Sequence, residues 1–329
     1  MSAKQDTIVT LQDIADKAGC SRNTASLAMR NSSRISEAMR DKIQSIASRL
    51  GYVPNLAARN LITRRSGMIG VYARAIQDAV RSELLESLLA ALHTAEYRPV
   101  LGVGSQQAGG WSSSPWMGTF QEMQVEALVV ICEARASFPQ WNRQIPCIYV
   151  GNEPDKELKA DYVALSRAEG ASLGVQRLVQ TGHQRILVAS AINSTFGARC
   201  VSEIQEAGAI PMVLSSGLPR SNELVDAAVH AVRTGNKPSA VIFGDSPLAV
   251  SFLHKISELG IRCPDDLAVI GYDYFPWADM LQIPLTTIEQ PISKLAAAGS
   301  ELVKFRLANR EAPLKQIVLQ HKLVIRKSG

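Results

Sequence analysis

The chain has 329 residues, 46% of them hydrophobic and 20% charged, which excludes a disordered protein and provides for two or three domains with buried cores. Its apolar runs are short, Ala127 to Cys132 being typical, and its first six residues carry no apolar signal core, so the expectation is a cytoplasmic protein without a membrane span. The formal charge of +5 lies at one end: residues 1–65 hold 11 Lys and Arg against 5 Asp and Glu, a net of +6, whereas the remainder holds 24 against 25, a net of −1. A basic head on a neutral body points to a polyanion as the partner of the head.

In the head, Thr10-Leu11-Gln12-Asp13 has the spacing of a capping box, with Ile14, Ala15 and Ala18 on one side of a short helix that Gly19 ends in a left-handed turn. Ser21 is a good N-cap for a second helix from Arg22 to about Met29, with Ala25, Ala28 and Met29 inward and Arg22, Asn23, Ser26 and Arg30 outward. Ser36 caps a third helix, whose Met39, Ile43, Ile46, Ala47 and Leu50 keep a 3.6-residue period. Two short helices joined by a glycine turn and propped by a third predict a helix-turn-helix. The exposed start of its second helix places Arg22, Asn23 and Ser26 where side chains meet base edges in a major groove; the bland alternative is a solvated polar helix face.

A tether follows, Tyr52-Val53-Pro54-Asn55-Leu56-Ala57-Ala58-Arg59-Asn60-Leu61. With Val9-Thr10-Leu11-Gln12-Asp13-Ile14-Ala15, Gly19-Cys20-Ser21 and Thr24-Ala25-Ser26 in the same order upstream, the chain resembles the lactose/galactose repressor (LacI/GalR) family of transcription regulators. The resemblance implies a hinge helix after Pro54 that folds when two protomers meet on DNA. Leu61 would be its apolar wedge in the minor groove, and Ala58 would let the two hinge helices approach; the alternative packs Leu61 into the following domain. Motif and resemblance together give a DNA-contacting set of Thr10, Leu11, Ser21, Arg22, Asn23, Thr24, Ser26, Arg30, Tyr52, Asn55, Ala58, Arg59 and Leu61. One departure is Leu27, where the family often has arginine, which implies a different base preference.

From Met68 onward apolar strands alternate with amphipathic helices. The strand candidates are Met68–Ala73, Pro99–Val103, Ala127–Cys132, Cys147–Val150, Arg185–Ala189, Met212–Leu214, Ala240–Phe243 and Leu267–Gly271; the helices include Ser82–Ala95 and others near Arg167–Thr181, Glu223–Thr234 and Ser246–Leu259. This alternation predicts an α/β body of doubly wound parallel sheets, with a break near Ala160–Leu165 dividing it in two. The resemblance continues through Gly182-His183, Gly244-Asp245, the run Pro264 to Asp273 and the run Pro284 to Pro291, and implies the two-subdomain architecture of periplasmic sugar-binding proteins. The expected organisation is a DNA-binding domain at 1–53, a hinge at 54–65 and an effector-binding and dimerisation domain at 66–329, with subdomains of about 66–160 and 161–287 and a chain exchange after 287.

Ligands in such sheets bind beyond the carboxyl ends of the strands. By resemblance Asp78, Arg199, Asp245 and Asp273 match cleft positions that bind small polar, sugar-like effectors; for Arg199, Asp245 and Asp273 the alternative is a structural ion pair or cap. Aromatic residues common after the family's first strand are missing at Asp78-Ala79-Val80-Arg81, and Ser166-Arg167 replaces the usual Asp-Asn pair before Gly170. A tryptophan-bearing loop from Gly109 to Trp116 offers either a substitute aromatic wall or surface or subunit packing, and an effector-independent architectural regulator is the alternative function. Five scattered cysteines and five histidines form no metal-ligand spacing or catalytic motif, so no metal, no cofactor and no enzyme activity is expected. The expected partners are double-stranded operator DNA, a small sugar-like effector and a second copy of the chain.

Overall fold

The computed structural model describes residues 9–53, 65–73, 76, 79–104, 115–131, 145–154, 159–190, 194–214, 222–234, 237–273 and 276–329. It falls into two compact units, Met1–Ser66 and Gly67–Gly329. The first unit is all-helical: α1 (Leu11–Ala18), α2 (Arg22–Met29) and α3 (Glu37–Arg49). Ile14, Ala15, Ala18, Ala25, Ala28, Ile43, Ile46 and Ala47 close its core, against which Met39, Leu50 and Tyr52 pack in part.

The second unit contains β1 (Met68–Ala73), α4 (Ala79–Thr94), β2 (Arg98–Val103), α5 (Trp116–Glu122), β3 (Ala127–Ile131), β4 (Cys147–Asn152), β5 (Asp161–Leu165), α6 (Arg167–Gln180), β6 (Arg185–Ala189), α7 (Thr195–Glu206) and β7 (Ile210–Val213). It continues through α8 (Asn222–Arg233), β8 (Ala240–Phe243), α9 (Ser246–Glu258), β9 (Ala268–Tyr272), β10 (Thr286–Glu289), α10 (Ile292–Ala308), β11 (Gln316–Leu319) and β12 (Lys322–Val324). Two six-stranded sheets result, ordered β11-β5-β4-β3-β1-β2 and β12-β10-β9-β8-β6-β7. Every pairing is parallel except that of β10 with β12.

Both faces of each sheet are covered, which is why the strands read as continuous apolar runs. Leu84, Leu88 and Leu92 of α4, with Leu295, Leu302 and Val303 of α10, bury Val71, Val129 and Val150 on one face of the first sheet. Met117 and Phe120 of α5 cover Tyr72, Leu128 and Val130 on the other. The second sheet lies between the pair α6 and α7, which buries Val188, Ile242 and Ile270, and the pair α8 and α9, which buries Leu187, Val241 and Val269.

Three expectations change. The break at Ala160–Leu165 is a strand: β5 pairs with β4 and β11, so the chain leaves the first sheet only after Leu165. The reason is nonlocal, because buried Asp161 accepts two hydrogen bonds from Arg306 of α10, at 2.6 and 2.7 Å. Trp116 opens α5 instead of sitting in a loop; its indole N–H donates to the Val103 carbonyl at 2.9 Å, which is internal packing. Ser36 holds the N-cap of α3 without a side-chain hydrogen bond. The Trp111 segment lies outside the described residues.

Arg306 also donates to the carbonyls of Asn309, Arg310, Ala312 and Pro313, so one guanidinium fixes both β5 and the chain leading to β11. Removing one partner of such a pair leaves a buried charge unmatched. Arg306→Met is expected to lower body stability by about 3–5 kcal/mol in denaturant unfolding, and Arg306→Met with Asp161→Leu by less.

Candidate functional site

The head's geometry is set by local chemistry at its helix ends. The Thr10 amide donates to Asp13 Oδ2 at 2.7 Å and the Asp13 amide to Thr10 Oγ1 at 3.4 Å, the reciprocal pair of a capping box. Gly19 ends α1 at φ +70°, the left-handed conformation that frees α2 to start three residues later. The Thr24 amide donates to Ser21 Oγ at 3.1 Å. From α3, Lys42 Nζ donates to the Ala18 carbonyl and Gln44 Nε2 to the Ala28 carbonyl, closing the ends of α1 and α2; sequence reasoning did not single out either residue.

Arg22 and Asn23 occupy the exposed first turn of α2, and Arg30 is exposed at its end, its Nε donating to the Ser26 carbonyl. Ser26 and Thr24 are half-buried, Thr10 and Ser21 serve as caps, and Leu11 packs partly on the core. The half-buried Tyr52 lies close enough to Arg22 for the guanidinium to oppose the upward shift that burial gives its hydroxyl. Asn55, Ala58, Arg59 and Leu61 lie outside the described residues, as does Asp78.

In the body the chain passes between the sheets three times: from β5 into α6, from β10 into α10, and from β11 into β12. All three passages leave from carboxyl ends of parallel strands, and β12, antiparallel to β10, begins beside the end of β10. Strand ends of both sheets therefore lie at the segments that join the sheets. Asp245 caps α9, accepting from the Leu248 amide at 3.4 Å, and Asp273 accepts from Gln290 Nε2 at 2.7 Å. Ser246 ties the two strand ends together by donating to the carbonyls of Tyr272, at 2.8 Å, and Asp273. Asp273 holds φ +91°, a strained conformation of the kind found at ligand sites. Arg199 does not join this group; it lies one turn into α7, exposed, paired with Glu203 and donating to Ser172 Oγ.

A second cluster adjoins the end of β9, and sequence reasoning noticed only that Arg167 was unusual. The buried His321, at the passage into β12, bonds Glu169 Oε2 through Nδ1 and the Tyr272 hydroxyl through Nε2, both at 2.8 Å. Burial holds this imidazole below its ordinary value, with Arg167 adding to that effect and Glu169 opposing it. Neutral His321 thus donates from Nδ1 to the carboxylate and accepts from the tyrosine at Nε2. The Arg167 guanidinium lies 4.6 Å from the centre of the Tyr272 ring and 5.9 Å from that of Phe196. His183, whose helix-end position favours a cation, instead bonds Ser239 Oγ at 3.1 Å and is held below its ordinary value by burial and Arg177.

Among the described residues no group of three His, Cys, Asp or Glu side chains could hold a metal ion, and no helix is long and apolar enough to cross a membrane. The family model for bacterial regulatory proteins of the lacI family matches residues 10–55, and that for a periplasmic binding protein-like domain matches residues 175–329. The transcriptional regulator CelR of Thermobifida fusca is 26% identical, covering 97% of this chain and 98% of its own. The transcriptional repressor PurR of Vibrio atlanticus is 23% identical, over 98% of each. Among solved structures, the lac repressor dimer bound to operator and the anti-inducer ONPF aligns over 98% of this chain and 99% of its own, with a TM-score of 0.84 and 22% identity. A CelR–cellobiose complex aligns over 98% of this chain and all of its own, with a TM-score of 0.67 and 23% identity.

A lacI-type helix-turn-helix joined to a periplasmic-binding-like body defines a DNA-binding transcription regulator. The chain thus carries a lacI-family regulatory domain at residues 10–55 and a periplasmic binding protein-like domain at residues 175–329.

A histidine whose proton affinity falls on folding contributes stability that is full above its ordinary value of 6.5 and lost as the pH drops below it. The melting temperature of the body is expected to fall on acidification from pH 7 to about 5, and less steeply in His321→Gln. Calorimetry across that range checks this; equal slopes would remove His321 from the account.

Proposed function

We propose that the protein is a homodimeric, cytoplasmic repressor that reads a pseudo-palindromic operator through two copies of its head and is modulated by a small polar effector held between the two sheets. It carries no enzyme activity in this reading. The observation that carries the proposal is the exposed first turn of α2, where Arg22 and Asn23 project from a capped helix-turn-helix. Arginine pairs with guanine and asparagine with adenine in a major groove, and symmetric heads match symmetric half-sites. Residues 1–53 would form the DNA-binding domain, 54–65 the hinge and 66–329 the effector and dimerisation domain. Thr10, Ser21, Thr24 and Arg30 would contact phosphates, Asn55 and Arg59 would support the hinge, and Leu61 would be its wedge. Asp245 and Asp273 would orient effector hydroxyls. The engagement of Arg199 by Glu203 favours the competing effector-independent reading; a ligand whose stabilisation is lost in Asp245→Ala would exclude it.

The outer face of α9 supports self-association. Trp277 is 55% and Met280 80% exposed, and the segment that follows them lines, with Val250, Leu253, His254 and Ser257 of α9, a groove whose walls include Leu281, Gln282 and Ile283; exposed apolar side chains of this kind often mark a partner interface.

Selection of genomic fragments by the purified protein should recover a pseudo-palindrome; featureless salt-sensitive retention would overturn the specific reading. On the recovered operator, Arg22→Ala and Asn23→Ala should each cost about 1–3 kcal/mol and relax base preference at one position per half-site. Trp277→Asp with Met280→Asp should yield monomers in sedimentation and lose operator binding, whereas a persistent dimer would move the interface elsewhere.

A further inference from the structure

Several arginines of the body have acidic partners: Arg306 has Asp161, Arg326 has Asp279 and Glu289, Arg262 has Asp266, and Arg199 has Glu203, while Arg177 keeps a buried Nε without a hydrogen-bond partner among the described residues. Arg167 differs. It is half-buried at the first residue of α6, where the chain passes between the sheets, and among the described residues its guanidinium has aromatic contacts alone, with no hydrogen-bond acceptor or ion-pair partner. The carboxylates nearby are committed elsewhere. Glu169 is taken up by the amide and ring of His321, and Glu203 by Arg199 and Ser172.

The platform under Arg167 is fixed. A Cβ at Gly170 would stand 2.7 Å from Tyr272 Cε2, so only glycine admits the ring there. His321 holds the Tyr272 hydroxyl, and Phe196 packs on Tyr272 with ring centres 4.7 Å apart. A guanidinium over an aromatic face is oriented by the ring while its N–H edge is left for a planar acceptor. Half-burial makes an unmatched cation costly, and an anionic ligand relieves that cost with charge-assisted, two-pronged hydrogen bonds. The α6 N-terminus adds positive potential at the same point.

We propose that the effector is an anion, a carboxylate or phosphate ester of a polyhydroxy compound, whose acidic group pairs with Arg167 while its hydroxyls meet the strand ends at Asp245 and Asp273. This rests on the effector-cleft reading above and names the ligand class for it. Arg167 takes the role expected of Arg199.

The test uses the full chain and inorganic phosphate as probe, compared with chloride at equal ionic strength. Phosphate is expected to raise the melting temperature in a concentration-dependent way, and its dissociation constant should weaken about tenfold or more in Arg167→Met. Arg167→Lys, which keeps the charge and loses the planar fork, should retain part of the effect and guards against a folding defect in the first variant. Glucuronate and glucose 6-phosphate, each set against glucose, separate carboxylate from phosphate. Equal melting temperatures in phosphate and chloride overturn the proposal, as does a phosphate effect unchanged in Arg167→Met, which would place the anion at the basic head. If glucose stabilises wild type and Arg167→Met alike but not Asp245→Ala, the cleft reading stands and the anionic assignment falls. If the anion effect depends on Arg167 but operator affinity ignores the anion, the assignment stands and the modulation reading falls.

Discussion

Everything in the body follows from parallel strand pairing. Parallel strands must all end on the same side, so connections that leave a sheet from its carboxyl edge are forced to a common rim. Here two such connections pass to the other sheet, and the third returns beside the end of β10. The rim is therefore binding surface and joint at once. Side chains placed there answer to two demands, contact with a ligand and the mechanics of the passage. Arg167, Gln290 and His321 each stand at one of the three passages, and each touches Tyr272 or its neighbour Asp273. A molecule held by these residues would act directly on the segments that set the relation of one sheet to the other.

The head was the most legible part of the sequence because its determinants are close together in the chain. Thr10 with Asp13, Gly19, and Ser21 with Thr24 are contacts within three residues or single backbone states, and each stands where spacing placed it. Most body strands were equally plain, since burial on both faces writes them as unbroken apolar runs. What escaped was whatever depends on distant partners. Asp161 makes β5 look like a polar interruption until Arg306, 145 residues later, is seen to neutralise it. The long helix α10 contains Gly299 and Ser300, residues that weaken a helical signal, yet Gly299 sits where a Cβ would stand 3.0 Å from Val150 Cγ2. Close packing against the sheet accounts for the glycine, and no local rule could supply that.

The cleft shows the same limit in electrostatic form. Position matching put Arg199 in the site, but an acidic neighbour one turn on, together with Ser172 of α6, draws its guanidinium outward. Arg167 stood out only as a departure at its position. Its meaning depends on an aromatic ring from β9, a histidine from the last passage and a glycine one turn along α6. Chemistry assembled from three segments of a chain is invisible to any one of them.

The double passage of the chain also bears on how the protein is made. The first sheet begins at residue 68, yet α10, which covers one of its faces, and β11, which completes its edge, arrive only at residues 292–319. During synthesis the small head has all its core in hand by residue 52, whereas the face carrying Val71, Val129 and Val150 has only α4 over it until Leu295, Leu302 and Val303 of α10 emerge. The half begun first is finished nearly last, so the nascent body carries an incompletely covered apolar sheet face for most of its translation, the kind of surface that makes partly made chains prone to aggregate.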